Sequence, residues 1–199
     1  MYKRQGDDHL LYQIVKRLLD ILISLALFLL LLPLFLLIML AIAVDSPGDI
    51  IFMQKRAGLY SRPFTMLKFR SMRAAAPPDV ATNDLADAGR YITPVGRFLR
   101  RTSLDELPQL INVVLGGMSL VGPRPIVSGE IEKYGEVYDE YCRVKPGITG
   151  LWQISGRNDT SYEERVAYDH YYINNWSVWM DLWILGRTVP VVLSGYGAY

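Results

Sequence analysis

From Ile21 to Val44 every residue except Ser24 and Pro33 is apolar, and this run decides the environment the chain must occupy. It is about 24 residues long, so as one straight helix it would extend ~36 Å, against the ~30 Å hydrocarbon core of a bilayer. A secretory signal is the first rival, because Ala41-Ile42-Ala43 imitates a cleavage site. Signal h-regions stop at roughly 7–15 residues, so the run is expected to stay attached. Pro33 divides it almost in half. In a helix, proline forfeits one backbone bond and sets its ring against the carbonyl four residues back, here that of Leu29, so a bend is predicted there.

Charge on the flanks selects the topology. Lys16 and Arg17 precede the run, and Lys55, Arg56, Arg62, Lys68, Arg70 and Arg73 follow it. Basic residues favour the cytoplasmic side of a membrane, and a single crossing satisfies only one of these flanks. The run is therefore read as a re-entrant helix bent at Pro33. Residues 1–20 become a basic cytoplasmic lead-in, 21–44 the re-entrant membrane helix and 45–199 one domain at the membrane surface. The expected fold class is α+β and mostly helical, a compact domain of amphipathic helices with a small β element.

Composition removes several functions. A net charge of +1 over 199 residues gives no basic field for nucleic acid. The single cysteine, Cys142, excludes an internal disulfide. His9 and His170 match no zinc spacing, and no Walker lysine loop or G-x-G-x-x-G fingerprint occurs.

Past the apolar run, Asp45-Ser46-Pro47-Gly48 reads as a turn, and Ile50–Gln54 and Phe64–Phe69 as strands. Ala74–Gly89 reads as a mobile surface loop and Thr93–Arg101 as a short helix with Arg97 and Arg101 on one face. Gly129–Tyr141 is predicted to be a charged, solvent-facing helix. Lys145–Arg157 is predicted to be a glycine-punctuated loop able to approach a ligand closely. A helix is expected over Tyr162–Trp176, followed by a Trp-rich segment to Leu193. Asp181, Arg187 and Pro190 make that last segment too polar to span, so it suits a core or a headgroup interface.

The chemistry concentrates between Thr102 and Pro125. Asp105 and Glu106 adjoin Arg97, Arg100 and Arg101, and Arg124 follows between Pro123 and Pro125. Carboxylates that hold a divalent cation, ringed by arginines, are what phosphoryl chemistry on a diphosphate needs. With Pro108 in the first turn, Asp105 is a plausible N-cap of a helix burying Leu110, Ile111, Val113, Val114 and Leu115. A capping box from Ser103 to Glu106 is the competing register, and either one also explains these acids as purely structural. Lys68 and Arg157 are further candidate phosphate contacts, each with a plain solvated-charge alternative.

The segments KFRSM (Lys68–Met72), GRFLRRTSLDELPQLINV (Gly96–Val113), MSLVGPRP (Met118–Pro125), KPGITGLWQISGR (Lys145–Arg157) and the NWS…D block (Asn175–Asp181) together resemble the small monotopic phosphoglycosyl transferases. These are bacterial sugar transferases that start glycan assembly on undecaprenyl phosphate. The similarity runs in order from Lys16 to Leu193, and the Gly-Ala-Tyr ending resembles the hexose-1-phosphate transferases of O-antigen, capsule or exopolysaccharide assembly. The resemblance implies transfer of a sugar-1-phosphate from a UDP-sugar to polyprenyl phosphate, with Mg²⁺ as cofactor and release of UMP. It implies residence in the inner-membrane lipid, with the catalytic domain on the cytoplasmic face. Matched by motif, Asp105 is the nucleophile and shares metal binding with Glu106. By the same match Lys68, Arg100, Arg124, Arg157 and Asp181 fall on substrate- or phosphate-binding positions. The sugar is not legible, and a homodimer is left open.

Two other classes fit parts of the pattern: a non-catalytic scaffold of polysaccharide assembly and a metal-dependent lipid phosphatase. Release of UMP from a UDP-sugar separates them from the transferase. The hairpin has its own test. With Cys142 replaced by Ser, single cysteines at positions 2 and 61 should both react only with membrane-permeant reagents. Labelling of position 2 from the periplasmic side would mean that the chain crosses the bilayer.

Overall fold

A computed structural model describes residues 6–77 and 88–195. The expected loop Ala74–Gly89 and the Gly-Ala-Tyr ending lie largely or wholly outside them. The chain opens with two helices, α1 (Gly6–Leu30) and α2 (Leu32–Asp45), which meet at 62°. The break falls at Leu31, and Pro33 occupies the first turn of α2, where its missing N–H costs nothing. Pro33 thus starts the second helix instead of kinking the middle of a single one. Among the described residues no single helix is long and apolar enough to cross a membrane, whereas the bent pair passes together by length and composition. α1 begins well inside the basic lead-in, so Lys16, Arg17 and Asp20 are helical residues.

α2 folds back on the domain. Phe35, Ile38 and Ile42 pack with Phe69 and Leu99, while Leu36, Leu37 and Leu40 remain exposed. β1 (Ile51–Arg56) and β2 (Phe64–Phe69) form an antiparallel hairpin with Ile51 opposite Phe69. After α3 (Ala88–Tyr91), Thr93 caps α4 (Pro94–Arg101) by accepting from the Gly96 N–H at 2.9 Å. A Cβ on Gly96 would lie 1.9 Å from the Ser71 carbonyl, so only glycine lets α4 sit this close to the chain leaving β2.

α5 (Gln109–Leu115) starts at Pro108 and docks against β2 through Asn112. The Asn112 amide accepts from the Leu67 N–H at 2.8 Å and donates to the Thr65 carbonyl at 2.7 Å, completing one strand edge. Leu110 and Val113 are buried, as the helical period requires, but Leu115 is 76% exposed and does not belong to the buried face expected for it. A parallel pair, β3 (Ser119–Val121) with β4 (Gly147–Thr149), replaces part of the loops expected there. Gly122 and Gly147 make it possible, since a Cβ on Gly147 would fall 2.1 Å from the Gly122 nitrogen.

The segment expected as one solvent-facing helix is instead broken into α6 (Ile131–Tyr134) and α7 (Tyr138–Tyr141), joined by a turn at Gly135. Its tyrosines are the reason. Tyr134 and Tyr141 are buried against Ala57, Ile126 and Cys142. α8 (Leu151–Ser155) follows β4, Ser161 caps α9 (Tyr162–Asn175) in a capping box, and α10 (Val178–Ser194) closes the described chain.

Polar groups on α1 reach into this domain. The Asp20 carboxylate, 5% exposed, accepts from the Ser119 hydroxyl at 2.8 Å and the Leu120 N–H at 3.0 Å. Asp20→Ala leaves both donors buried and unpaired, so urea unfolding in detergent should register a loss of about 3 kcal/mol. A loss indistinguishable from zero would mean that α1 is not held there.

Candidate active site

Asp105 and Glu106 lie in a single 3₁₀ turn, Leu104–Glu106, between α4 and α5. Neither capping register forms. Ser103 adopts a left-handed conformation (φ 56°) and makes no cap, and α5 begins only at Gln109, with Pro108 at its boundary. The left-handed residue swings the chain off the end of α4, and the short turn spends three residues before helix resumes. Asp105 is therefore not an N-cap of α5. It is a buried carboxylate, 7% exposed, one residue from a half-buried Glu106.

Cations converge on this turn from several elements. The Lys68 Nζ, on β2, donates to Glu106 Oε1 at 2.6 Å. Arg100, in the last turn of α4, acts electrostatically on Asp105 and Glu106. Arg157, just beyond α8, approaches the Ser103 hydroxyl at 3.5 Å and acts on Glu106. Arg124 acts on Glu106 too, and its guanidinium lies 5.1 Å from the centre of the Trp152 ring.

Burial pushes the Asp105 carboxyl well above the ordinary carboxylate range, with the Glu106 charge adding to the effect and Lys68 and Arg100 opposing it. Burial also raises Glu106, but Lys68, Arg124 and Arg157 outweigh it and hold that carboxyl below its usual range. The two acids are thus differentiated by environment, Glu106 held in a direct ion pair and Asp105 buried beside it. Burial lowers Arg100 and Arg157 as well, and Arg124 lowers both further, the mark of guanidinium groups crowded together away from water.

Of the residues singled out in the sequence, Asp105, Glu106, Lys68, Arg100, Arg124 and Arg157 are brought together. Asp181 is not among them. It sits on α10, where it accepts from the Lys16 ammonium at 2.5 Å and the Tyr172 hydroxyl at 2.7 Å. Sequence reasoning passed over Lys16, Arg56, Tyr141 and Trp152. Lys16 was legible only as a flanking charge, and the others lie far from the acidic pair in sequence.

Among the described residues no group of three His, Cys, Asp or Glu side chains is placed to hold a metal. Asp105 and Glu106 supply two adjacent carboxylates. Mg²⁺ needs no more, because it binds through one or two carboxylates and completes its shell with substrate phosphates and water. The donor set fits that ion.

A differentiated carboxylate pair under crowded guanidinium groups, on a domain carrying a bent apolar helix pair, defines the class of the candidate site: two covered acids within a basic cluster. The chain belongs to the bacterial sugar transferase family, whose model matches residues 11–195. It is 45% identical over 199 residues to a UDP-galactose-lipid carrier transferase of Erwinia amylovora, covering 93% of this chain and 42% of that protein. It is 44% identical over 201 residues to the exopolysaccharide production protein ExoY of Sinorhizobium fredii, covering 94% and 88%. It is 45% identical over 185 residues to a UDP-glucose:undecaprenyl-phosphate glucose-1-phosphate transferase of Escherichia coli, covering 89% and 40%. The chain thus spans less than half the length of the first and third of these relatives.

The electrostatics carry a prediction independent of activity. With ¹³C-labelled aspartate followed by NMR, Asp105 should titrate well above an ordinary carboxylate. Lys68→Met removes the cation favouring both ionised forms, so it should move the Asp105 titration to still higher pH. A titration left in place by that change would separate Lys68 from the pair.

Proposed function

We propose that this chain transfers a sugar-1-phosphate from a UDP-sugar to polyprenyl (undecaprenyl) phosphate through a covalent phosphosugar-aspartate intermediate on Asp105. The observation that carries this reading is the buried Asp105 carboxylate beside Glu106, which Lys68 already neutralises. A buried acid in such a place costs stability and makes sense as chemistry. The relatives' names, which specify UDP-linked sugars and undecaprenyl phosphate, support the substrates.

In the first step an Asp105 oxygen attacks the phosphorus that bears the sugar. The bond from that phosphorus to the bridging oxygen breaks, and UMP leaves with the electron pair. In the second step an anionic oxygen of polyprenyl phosphate attacks the same phosphorus. The bond to Asp105 breaks, which restores the carboxylate and yields polyprenyl-diphosphate-sugar. Arg100, Arg124 and Arg157 would bind the phosphate oxygens, and their preorganised charge favours the more anionic transition state. Mg²⁺, held by Asp105 and Glu106, would supply further charge withdrawal from the diphosphate. Asp181, paired with Lys16 and Tyr172, would hold α1 against α10.

The bent pair α1–α2 would serve as the re-entrant anchor, with both ends on the cytoplasmic face of the inner membrane. Covalent capture suits that position, because one substrate is dissolved and the other embedded in lipid. Each can then visit one site in turn. The reaction would be the first membrane step of O-antigen, capsule or exopolysaccharide assembly.

Enzyme incubated with UDP-sugar and Mg²⁺, without polyprenyl phosphate, should release at most one equivalent of UMP. It should also gain the mass of one phosphosugar on the peptide containing Asp105. Asp105→Asn keeps the size but loses the nucleophile, so adduct and turnover should vanish together. Glu106→Gln should slow turnover while leaving some adduct. UMP release that waits for polyprenyl phosphate, with no adduct, points to direct attack by the lipid and overturns the Asp105 assignment.

A further inference from the structure

Arg124 sits in a segment that cannot hold itself in place by the usual means. Pro123 and Pro125 have no N–H to donate, so the strap from Pro123 to Ile126 is held by two N–H groups, those of Arg124 on Asp169 and of Ile126 on the Tyr141 oxygen, and by its four carbonyls. Each of the four is met by a different donor. The Pro123 carbonyl accepts from the Gly147 N–H at 2.9 Å and the Ile126 carbonyl from the Ala57 N–H at 3.0 Å. The Arg124 carbonyl accepts from the Tyr141 hydroxyl at 3.1 Å, and the Pro125 carbonyl from an Arg56 guanidinium nitrogen at 3.0 Å.

Two of these donors are side chains, Tyr141 buried and Arg56 half-buried, in a polar core behind the strap. Tyr141 is 0% exposed, its ring edge-on to Tyr134 at 5.2 Å, and the Tyr134 hydroxyl donates to Asp169 at 2.7 Å. Arg56 also donates to Gln54 at 2.6 Å and faces Glu130 at 3.6 Å. Glu130 in turn accepts from the Val127 N–H at 3.0 Å, directly after the strap, and from Arg165 at 3.0 Å. On the far side the Arg124 guanidinium meets Trp152, and so does that of Arg165, at 5.1 and 5.2 Å. The Trp152 ring is itself pinned, its N–H donating to the Thr160 hydroxyl at 2.7 Å. Backbone and side chain of Arg124 are thus fixed by separate groups, none of which reaches the acidic pair.

We infer that Tyr141 is a positioning residue for the donor substrate, acting through the Arg124 carbonyl to hold the guanidinium where it meets the diphosphate. Arg56 does the same one residue further along. This rests on the transferase reading, which supplies the diphosphate.

The test uses the full chain in detergent or nanodiscs. Tyr141→Phe keeps the ring and deletes the hydroxyl, which also accepts from the Ile126 N–H and lies 3.4 Å from the Ala57 carbonyl; KM for UDP-sugar should rise about fivefold, the share of the one neutral hydrogen bond to the Arg124 carbonyl. KM for polyprenyl phosphate should not move. Arg124→Lys replaces the planar fork by a point charge that cannot use the alignment. In that background Tyr141→Phe should change KM less than twofold. Tyr138→Phe, altering a ring stacked 6.2 Å from Tyr141, should leave both KM values as they were. If Tyr141→Phe fails to fold, Arg56→Lys tests the neighbouring carbonyl with the same expected pattern. Equal effects in both Arg124 backgrounds, or KM values that rise together, make Tyr141 merely structural and overturn the inference. An inactive wild-type enzyme overturns the transferase reading and this assignment with it.

Discussion

Three polar side chains within about two turns of α1 join the apolar helix pair to the rest of the molecule, and everything else is placed relative to that joint. The Lys16 ammonium donates to Asp181 on α10 and, at 3.0 Å, to the Val121 carbonyl at the end of β3. Arg17 donates to the Val113 and Val114 carbonyls at 2.6 and 3.0 Å, satisfying the free C-terminal end of α5, where positive charge also complements the helix dipole. Asp20 accepts from Ser119 and Leu120 at the start of β3. A lysine, an arginine and an aspartate at the edge of a long apolar run look like a solvated boundary. Instead each is matched to a specific group on the domain. Breaking one pairing strands the other charge in a poorly solvated place, where the cost reaches about 3–5 kcal/mol for buried pairs.

The joint also explains the position of the acidic pair. α5 is clamped at its C-terminal end by Arg17 and along its side by Asn112, so the turn at its N-terminal end has little freedom. That turn can hold Asp105 in a desolvated state because Lys68 and Arg100 are rigidly supplied, one by a strand and one by a helix end. Exposed ion pairs of this kind contribute little. Here the partners are mostly covered, with Lys68 and Glu106 side chains 17% and 24% exposed, so the pairing holds Glu106 ionised beside the buried Asp105.

What the sequence disclosed follows the range of the forces involved. The bend was legible because proline acts on its own turn, and the β1–β2 hairpin because alternation and a short loop are local signals. The caps of α4 and α9 lie in the residues next to them, Thr93 and Ser161. The clustering of Asp105 and Glu106 with four of the five basic or acidic candidates was also within reach, since motif order carries it. The register of Asp105 was not. A left-handed Ser103 has no strong sequence signature, and it moves the start of α5 to Gln109. The β3–β4 pair escaped because each strand has three residues and their pairing depends on glycines some 25 positions apart in contact. The 129–141 segment was misjudged because its tyrosines look amphipathic, whereas burial of Tyr134 and Tyr141 with polar partners behind Arg124 is a tertiary fact. Asp181 went to α1 for the same reason: nothing local announces Lys16 as its partner.

One strand links the bent helix pair to the acidic pair. Phe35, in the first turns of α2, packs edge-on to Phe28 of α1 at 5.1 Å and to Phe69 of β2 at 5.3 Å, so the bend is wedged open against the domain. Aromatic contacts of this geometry stabilise beyond their buried area. Phe69 directly follows Lys68, and successive side chains on a strand point to opposite faces. One face of β2 therefore grips the bend of the apolar pair while the other delivers the ammonium to Glu106. A proline thus fixes the break and three aromatic rings hold the angle, on the same strand that carries the Lys68 partner of Glu106.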